Sequence, residues 1–136
     1  MKTGQINWMR PAPAMGVLIA GGLVMQVYLA GLAVFGSPDG WAVHGMFGGS
    51  LAIPVIALAC YGWFGADGKV YRRPASLLLL LYLLQLVLVG IGMETGMGWI
   101  AAFHPANALV MLITALDVVR RAPRAQSSRT VSPQAG

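Results

Sequence analysis

Four apolar runs, separated by short polar connections, constrain this chain more than any other feature of its sequence. A helix needs about 20 apolar residues to cross the hydrocarbon layer of a bilayer, and the runs at about 13–35, 42–64, 75–93 and 100–119 meet that length. Lipid offers backbone groups no hydrogen-bond partner, so a run of this kind predicts a helix, which satisfies them internally. Charged residues make up only 10% of the chain and hydrophobic residues 57%, whereas a water-facing surface draws on about a quarter charged residues. The sequence therefore predicts an all-α membrane protein with four transmembrane helices and no separate soluble catalytic domain. The first run is longer than the 7–15 or so apolar residues of a secretory signal, so it is expected to be a retained span.

The polar residues divide the chain into three parts. Residues 1–12 form a short arm with Lys2, Arg10 and an interfacial Trp8, and Pro11 and Pro13 suit the start of a helix. The four spans occupy 13–119, and residues 120–136 form a basic tail too poor in apolar residues to fold alone. Within the spans, Pro54 is expected to kink the second by removing a backbone bond, and Pro74 to open the third. Trp41 and Trp99 mark an interface beside the turn GSPDG and the loop ETGMG.

The net charge of +5 comes from basic residues at the ends of the apolar runs, which read as topology signals rather than a nucleic-acid surface. Lys and Arg fall on the amino-terminal arm, the connection containing Lys69, Arg72 and Arg73, and the carboxyl-terminal end, while the other two loops carry Asp39 and Glu94. The positive-inside rule predicts both termini in the cytoplasm and both acidic loops outside. Asp117 precedes Arg120 and Arg121 at ion-pair spacing. The lone Cys60 excludes an internal disulfide and is expected to be a small buried apolar residue.

One stretch is written twice. QVYLAGLAVFGSPDGWAVH, residues 26–44, overlays QLVLVGIGMETGMGWIAAFH, residues 85–104, matching Gln26 with Gln85, Gly31 with Gly90 and, after a one-residue slip, His44 with His104. These are the two histidines of the chain. The orientation of the spans makes the repeat parallel, with its axis along the membrane normal, and two such pairs close into an antiparallel four-helix bundle. His44 and His104 would then face each other about one turn inside the outer interface.

Opposed neutral imidazoles suit the axial positions of a haem b iron, and the pair is accordingly the candidate metal site. His44, Gly48, Leu51 and Val55 share a helix face, as do His104, Ala108, Met111 and Ala115. Gly48 and Ala108, one turn from each histidine, would leave space for a flat macrocycle. Haem propionates would draw on Ser37, Thr95, the indoles of Trp41 and Trp99, and loop backbone. Other readings stand beside this one: Gly45 and Gly49 as a close helix contact without a cofactor, or histidines that merely reach toward the headgroups.

Gln26 and Gln85 lie near mid-membrane, where each amide needs a partner. They could bond to each other, to backbone or to groups below the histidines. Asn107 is positioned either to orient His104 or to cap a backbone irregularity caused by Pro105. Pro105 itself either lies in the first turn of a helix starting near His104 or bends one starting near Ile100.

The pattern Gln-x-x-Leu-x-Gly, a short outward loop and a following histidine resembles one four-helix half of haem A synthase. The residues carrying the likeness are Gln26, Gly31 and His44 in one pair and Gln85, Gly90 and His104 in the other. The resemblance implies a fold with haem-ligating histidines on the second and fourth helices. The chain departs from that family in supplying one half, and in having Trp41, Ala42 and Val43 before His44 where the family has a glutamate, so hydroxylation of a haem methyl is not expected. The chain is also similar to small uncharacterised bacterial four-span proteins carrying QVYLAG and HPANA, which implies a bacterial inner membrane.

The expected function is a small cytochrome b-like protein binding one bis-histidine haem for electron transfer or haem handling, with a quinone or an outward-side redox partner. The alternative is a cofactor-free accessory subunit of a larger respiratory or photosynthetic complex. A homodimer is compatible with either. No phosphate loop, nucleophile elbow or dinucleotide motif suggests an independent enzymatic activity.

Overall fold

Uninterrupted apolar runs do become helices, and the places where they break are set by proline. The computed structural model describes residues 11–36 and 39–121. Its elements are α1 (Pro11–Phe35), α2 (Gly40–Ser50), α3 (Ala52–Phe64), a 3₁₀ turn (Gly68–Val70), α4 (Arg72–Glu94), α5 (Gly98–Ala101) and α6 (Phe103–Arg120). Helices α2 and α3 run on as one span, as do α5 and α6, giving four candidate membrane spans of 25, 25, 23 and 23 residues. At about 1.5 Å per residue each exceeds the roughly 30 Å of hydrocarbon. Residues 1–10 of the arm, with Trp8, Ser37 of the first turn and the tail after Arg121 lie outside the described residues, while Pro11 and Ala12, expected in the arm, belong to α1.

Both interruptions lie three residues ahead of a proline. Leu51 separates α2 from α3 before Pro54, and Ala102 separates α5 from α6 before Pro105. Proline has no N–H, and its ring clashes with the carbonyl four residues back, Ser50 in one case and Ala101 in the other. The fourth span thus begins at Gly98 and bends, which decides between the two alternatives for Pro105. At the first break the Leu51 side chain turns inward onto α1, where a Cβ on Gly22 would stand 2.5 Å from Leu51 Cδ2.

Each span packs against two others, closing a ring in the order first, second, third, fourth, first. Packing is concentrated at the end carrying the 3₁₀ turn and Arg121, the basic end. Ile19, Leu58, Leu78, Val55, Met111 and Val118 are fully or almost fully buried there and toward the middle. At the opposite, histidine end, Gly40 is the one buried residue described between Met25 and Ser50, and Gly92 the one between Leu83 and Ala106. Both glycines mark close approaches within a hairpin: a Cβ on Gly40 would come within 2.5 Å of Ala33 Cα, and one on Gly92 within 2.7 Å of Ala101 Cβ. Exposed Leu80, Ile53, Ile113 and Val27 cover the outward faces, as lipid contact requires.

Four local features differ from expectation or refine it. Cys60 is exposed rather than buried, because Leu58, Ala59 and Gly62 occupy the inward side of α3. The third span starts at Arg72, so Pro74 lies inside its first turn, where its missing N–H costs no helix bond. Arg72 stacks 4.5 Å from the Trp63 ring centroid, and Trp63 Nε1–H donates to Ser76 Oγ at 3.0 Å. Asp117 pairs with Arg121 at 2.7 Å, a half-exposed i,i+4 contact worth less than about 0.5 kcal/mol.

Candidate functional site: the histidine pair

The two histidines reach each other from different spans. Their ring centroids are 6.0 Å apart with the planes tilted by 57°. His44 sits in α2, before the Leu51 break; His104 sits in α6, two residues after the Ala102 break. Neighbouring α2 packs on α1 and α5 on α4, with no comparable contact between the two hairpins at this end. The imidazole pair therefore spans a region that apolar packing leaves open.

The tautomer of His44 follows from its partner. Its Nδ1 lies 3.1 Å from the backbone carbonyl of Gln26, and a carbonyl only accepts, so Nδ1 carries the proton and Nε2 keeps its lone pair. Trp41 closes edge-on against the ring, with centroids 5.7 Å apart. His104 stands beside the equivalent backbone position, the Gln85 carbonyl, with its buried Nδ1 in looser geometry than that of His44. Two imidazoles meet here, and no group of three or more His, Cys, Asp or Glu side chains that could hold a metal ion occurs among the described residues.

Below the pair lies a layer of polar groups. Gln85 Nε2–H donates to the His104 carbonyl at 3.1 Å, its Oε1 accepts from Asn107 Nδ2, and Asn107 Nδ2 also donates to the Leu81 carbonyl at 2.8 Å. Asn107 is buried; its amide bonds neither the His104 ring nor the Ala101 carbonyl, so it acts through Gln85. The two glutamines do not bond each other. Gln26 Nε2 occupies the place over Gly48, 2.1 Å from where a Cβ would stand, and its Oε1 is buried without a partner. Gly48 thus accommodates the Gln26 amide, not open macrocycle space as expected. Ala108 is partly buried, and Met111 and Ala115 below it are buried, in keeping with the predicted face.

The small-residue contact considered for Gly45 and Gly49 is not formed, since a Cβ on either would meet nothing within 4 Å. Thr95 spends its hydroxyl on the Ile91 carbonyl at 2.6 Å and accepts from Met97 N–H at 3.3 Å, so it is committed to its own loop. Trp99 packs edge-on against Phe103 rather than toward the pair.

Tyr82 is the residue that sequence reasoning missed. Its hydroxyl donates to the carbonyls of Gly48 and Gly49 at 3.1 and 3.2 Å, just before the Leu51 break. The one signal was a lone phenol inside the LLLLLYLL run, where an O–H at membrane depth requires an acceptor.

Residues 26–93 match the model of a family of unknown function, DUF6220. The match covers half of the chain, from Gln26 through His44 and Gln85 to Met93. No curated protein and no solved structure matches the chain. The chain belongs to the DUF6220 family.

Proposed function

We propose that this member of the DUF6220 family is a membrane cytochrome b-like protein, with one haem b held between His44 and His104. The observation that carries the reading is the 6.0 Å imidazole pair at the loosely packed end. At that separation His44 and His104 are the residues that would hold the haem iron between them. His44 is prepared as a ligand, its Nδ1–H held by the Gln26 carbonyl and its Nε2 free, the arrangement that orients metal-bound imidazoles and raises their basicity. His104 stands beside the matching carbonyl of Gln85.

Held by two imidazoles, haem would supply one-electron redox chemistry. His44 and His104 hold it, the hairpin contacts at Gly40 and Gly92 keep each histidine beside its own helix pair, and lipid excludes water from the flanks. Electron transfer or haem handling follows, with a quinone or an outward-side redox protein as partner. The likeness to a haem A synthase half belongs to this proposal and rests on the same residues.

The proposal includes an antiparallel four-helix bundle of two parallel repeats in a bacterial inner membrane, both termini cytoplasmic. Three matched features support the repeat. Each hairpin has a glycine–alanine approach, Ala33 with Gly40 and Gly92 with Ala101; each second span has a proline break; and each histidine ring adjoins the carbonyl of its own glutamine. The basic end and the acidic loops support the orientation.

The test is an absorption spectrum of the protein purified in mild detergent from haem-sufficient cells, oxidised and dithionite-reduced. A low-spin haem b spectrum that His44→Ala or His104→Ala abolishes or converts to high-spin is expected. A colourless, folded protein refutes the reading and turns attention to copurifying subunits of a larger complex.

A further inference from the structure

On both histidine-bearing spans a side chain of α4 bonds a backbone carbonyl within a turn of the proline break. Tyr82 reaches across to the other hairpin and donates to Gly48 and Gly49, at 3.1 and 3.2 Å, on the helix of His44. Gln85 stays within its own hairpin and donates to the carbonyl of His104 itself at 3.1 Å. Three residues apart, Tyr82 and Gln85 stand on one side of α4 about one turn from each other. Tyr82 is 7% exposed and belongs to the core, so its ring is fixed by packing at the basic side while its hydroxyl faces the open side.

Beyond this level the hairpins bury only Gly40 and Gly92 among the described residues. Apolar packing there sets the spacing inside each hairpin but leaves the angle between the two hairpins undetermined. We propose that Tyr82 and Gln85 are positioning residues, a two-point gauge on α4 that sets where the helices of His44 and His104 stand relative to each other. Tyr82 is the point that fixes one hairpin against the other. The consequence for a bound haem rests on the reading above; the gauge is a property of the polypeptide and holds without it.

The experiment measures distances between spin labels in the full chain in detergent, in a Cys60→Ser background. One pair, Asp39→Cys with Thr95→Cys, reports the histidine end; the other, Lys69→Cys with Arg120→Cys, reports the basic end. Tyr82→Phe, which keeps the ring and removes the hydroxyl, is expected to about double the width of the first distribution, because α2 then samples more than one packing. The second distribution is expected to stay unchanged. Gln85→Leu should also broaden the first distribution.

Gln85→Leu, which removes the bond to the His104 carbonyl, decides the matter if Tyr82→Phe alone does not fold. Unchanged distances at the histidine end or equal broadening at both ends would each overturn the proposal. None of these readings depends on haem, so a colourless protein would refute the haem reading and leave the gauge to be judged by the labels.

Discussion

Gly92→Ala is expected to destabilise the protein although alanine is the better helix former. A Cβ at this position would lie 2.7 Å from Ala101 Cβ, 2.9 Å from Ala101 N and 3.1 Å from Ala101 Cα. Carbon contacts are comfortable at about 3.5–4.0 Å, and none of the three atoms is the free end of a flexible side chain. The two backbones must separate by several tenths of an ångström to about 1 Å, an overpacking cost of about 2–3 kcal/mol at the upper part of its usual range. The intrinsic gain of alanine over glycine returns about 1 kcal/mol, leaving a net loss of about 1–2 kcal/mol. Gly90, two residues earlier, has nothing within 4 Å of its Cβ direction, so Gly90→Ala should stabilise by about 0.5–1 kcal/mol.

The first hairpin suggests the remedy, since there the alanine is on the first helix and the glycine on the second. Adding Ala101→Gly to Gly92→Ala reproduces that order, removes the 2.7 Å contact and leaves those to the backbone, so it should recover about half of the loss. The assay is unfolding by titrated sodium dodecyl sulfate, followed by near-ultraviolet circular dichroism, for which Trp99 is a local reporter. A neutral Gly92→Ala, or a double variant no better than the single one, would refute the claim that this approach holds the hairpin together.

Asn107→Leu removes the donor that serves the Leu81 carbonyl and Gln85 and strands Gln85 Oε1. In lipid such bonds are worth about 0.6 kcal/mol on average and up to about 1.7, so a loss of about 1–3 kcal/mol is expected in the same titration, and a neutral result would show the network to be idle. For the orientation, Asp39→Cys and Glu94→Cys in a Cys60→Ser background should react with a membrane-impermeant maleimide added to intact cells, and Lys69→Cys only after the membrane is opened. The reverse pattern would overturn the assignment of the acidic loops to the outside.

Much of the architecture was legible because its causes are local. Each span end lies within about three residues of the boundary expected from apolar length and turn residues. The kink at Pro54 needed only the chemistry of one residue, and the meeting of His44 with His104 followed from their matched places in the doubled stretch. The roles of Gln26, Gly48 and Asn107 were not legible. Each had a short menu of partners, and choosing among Gln85, Leu81 and the His104 ring required knowing how far two helices approach. Tyr82 was hidden for the same reason: its acceptors, Gly48 and Gly49, lie more than thirty residues away in sequence.

By itself the sequence determined that this chain forms four apolar helices, where prolines interrupt two of the spans, and which residue types stand at membrane depth. Run length, a missing N–H and the cost of an unsatisfied polar group are properties of a segment and its solvent. Only the tertiary structure decided which faces turn inward, as the exposed Cys60 shows, and which polar groups satisfy one another. Lipid tails are as apolar as leucine, so burial alone scarcely favours one face of such a helix over another. That choice falls to close contacts such as Gly92 with Ala101, and to bonds such as Tyr82 with Gly48, which exist only once distant segments have come together.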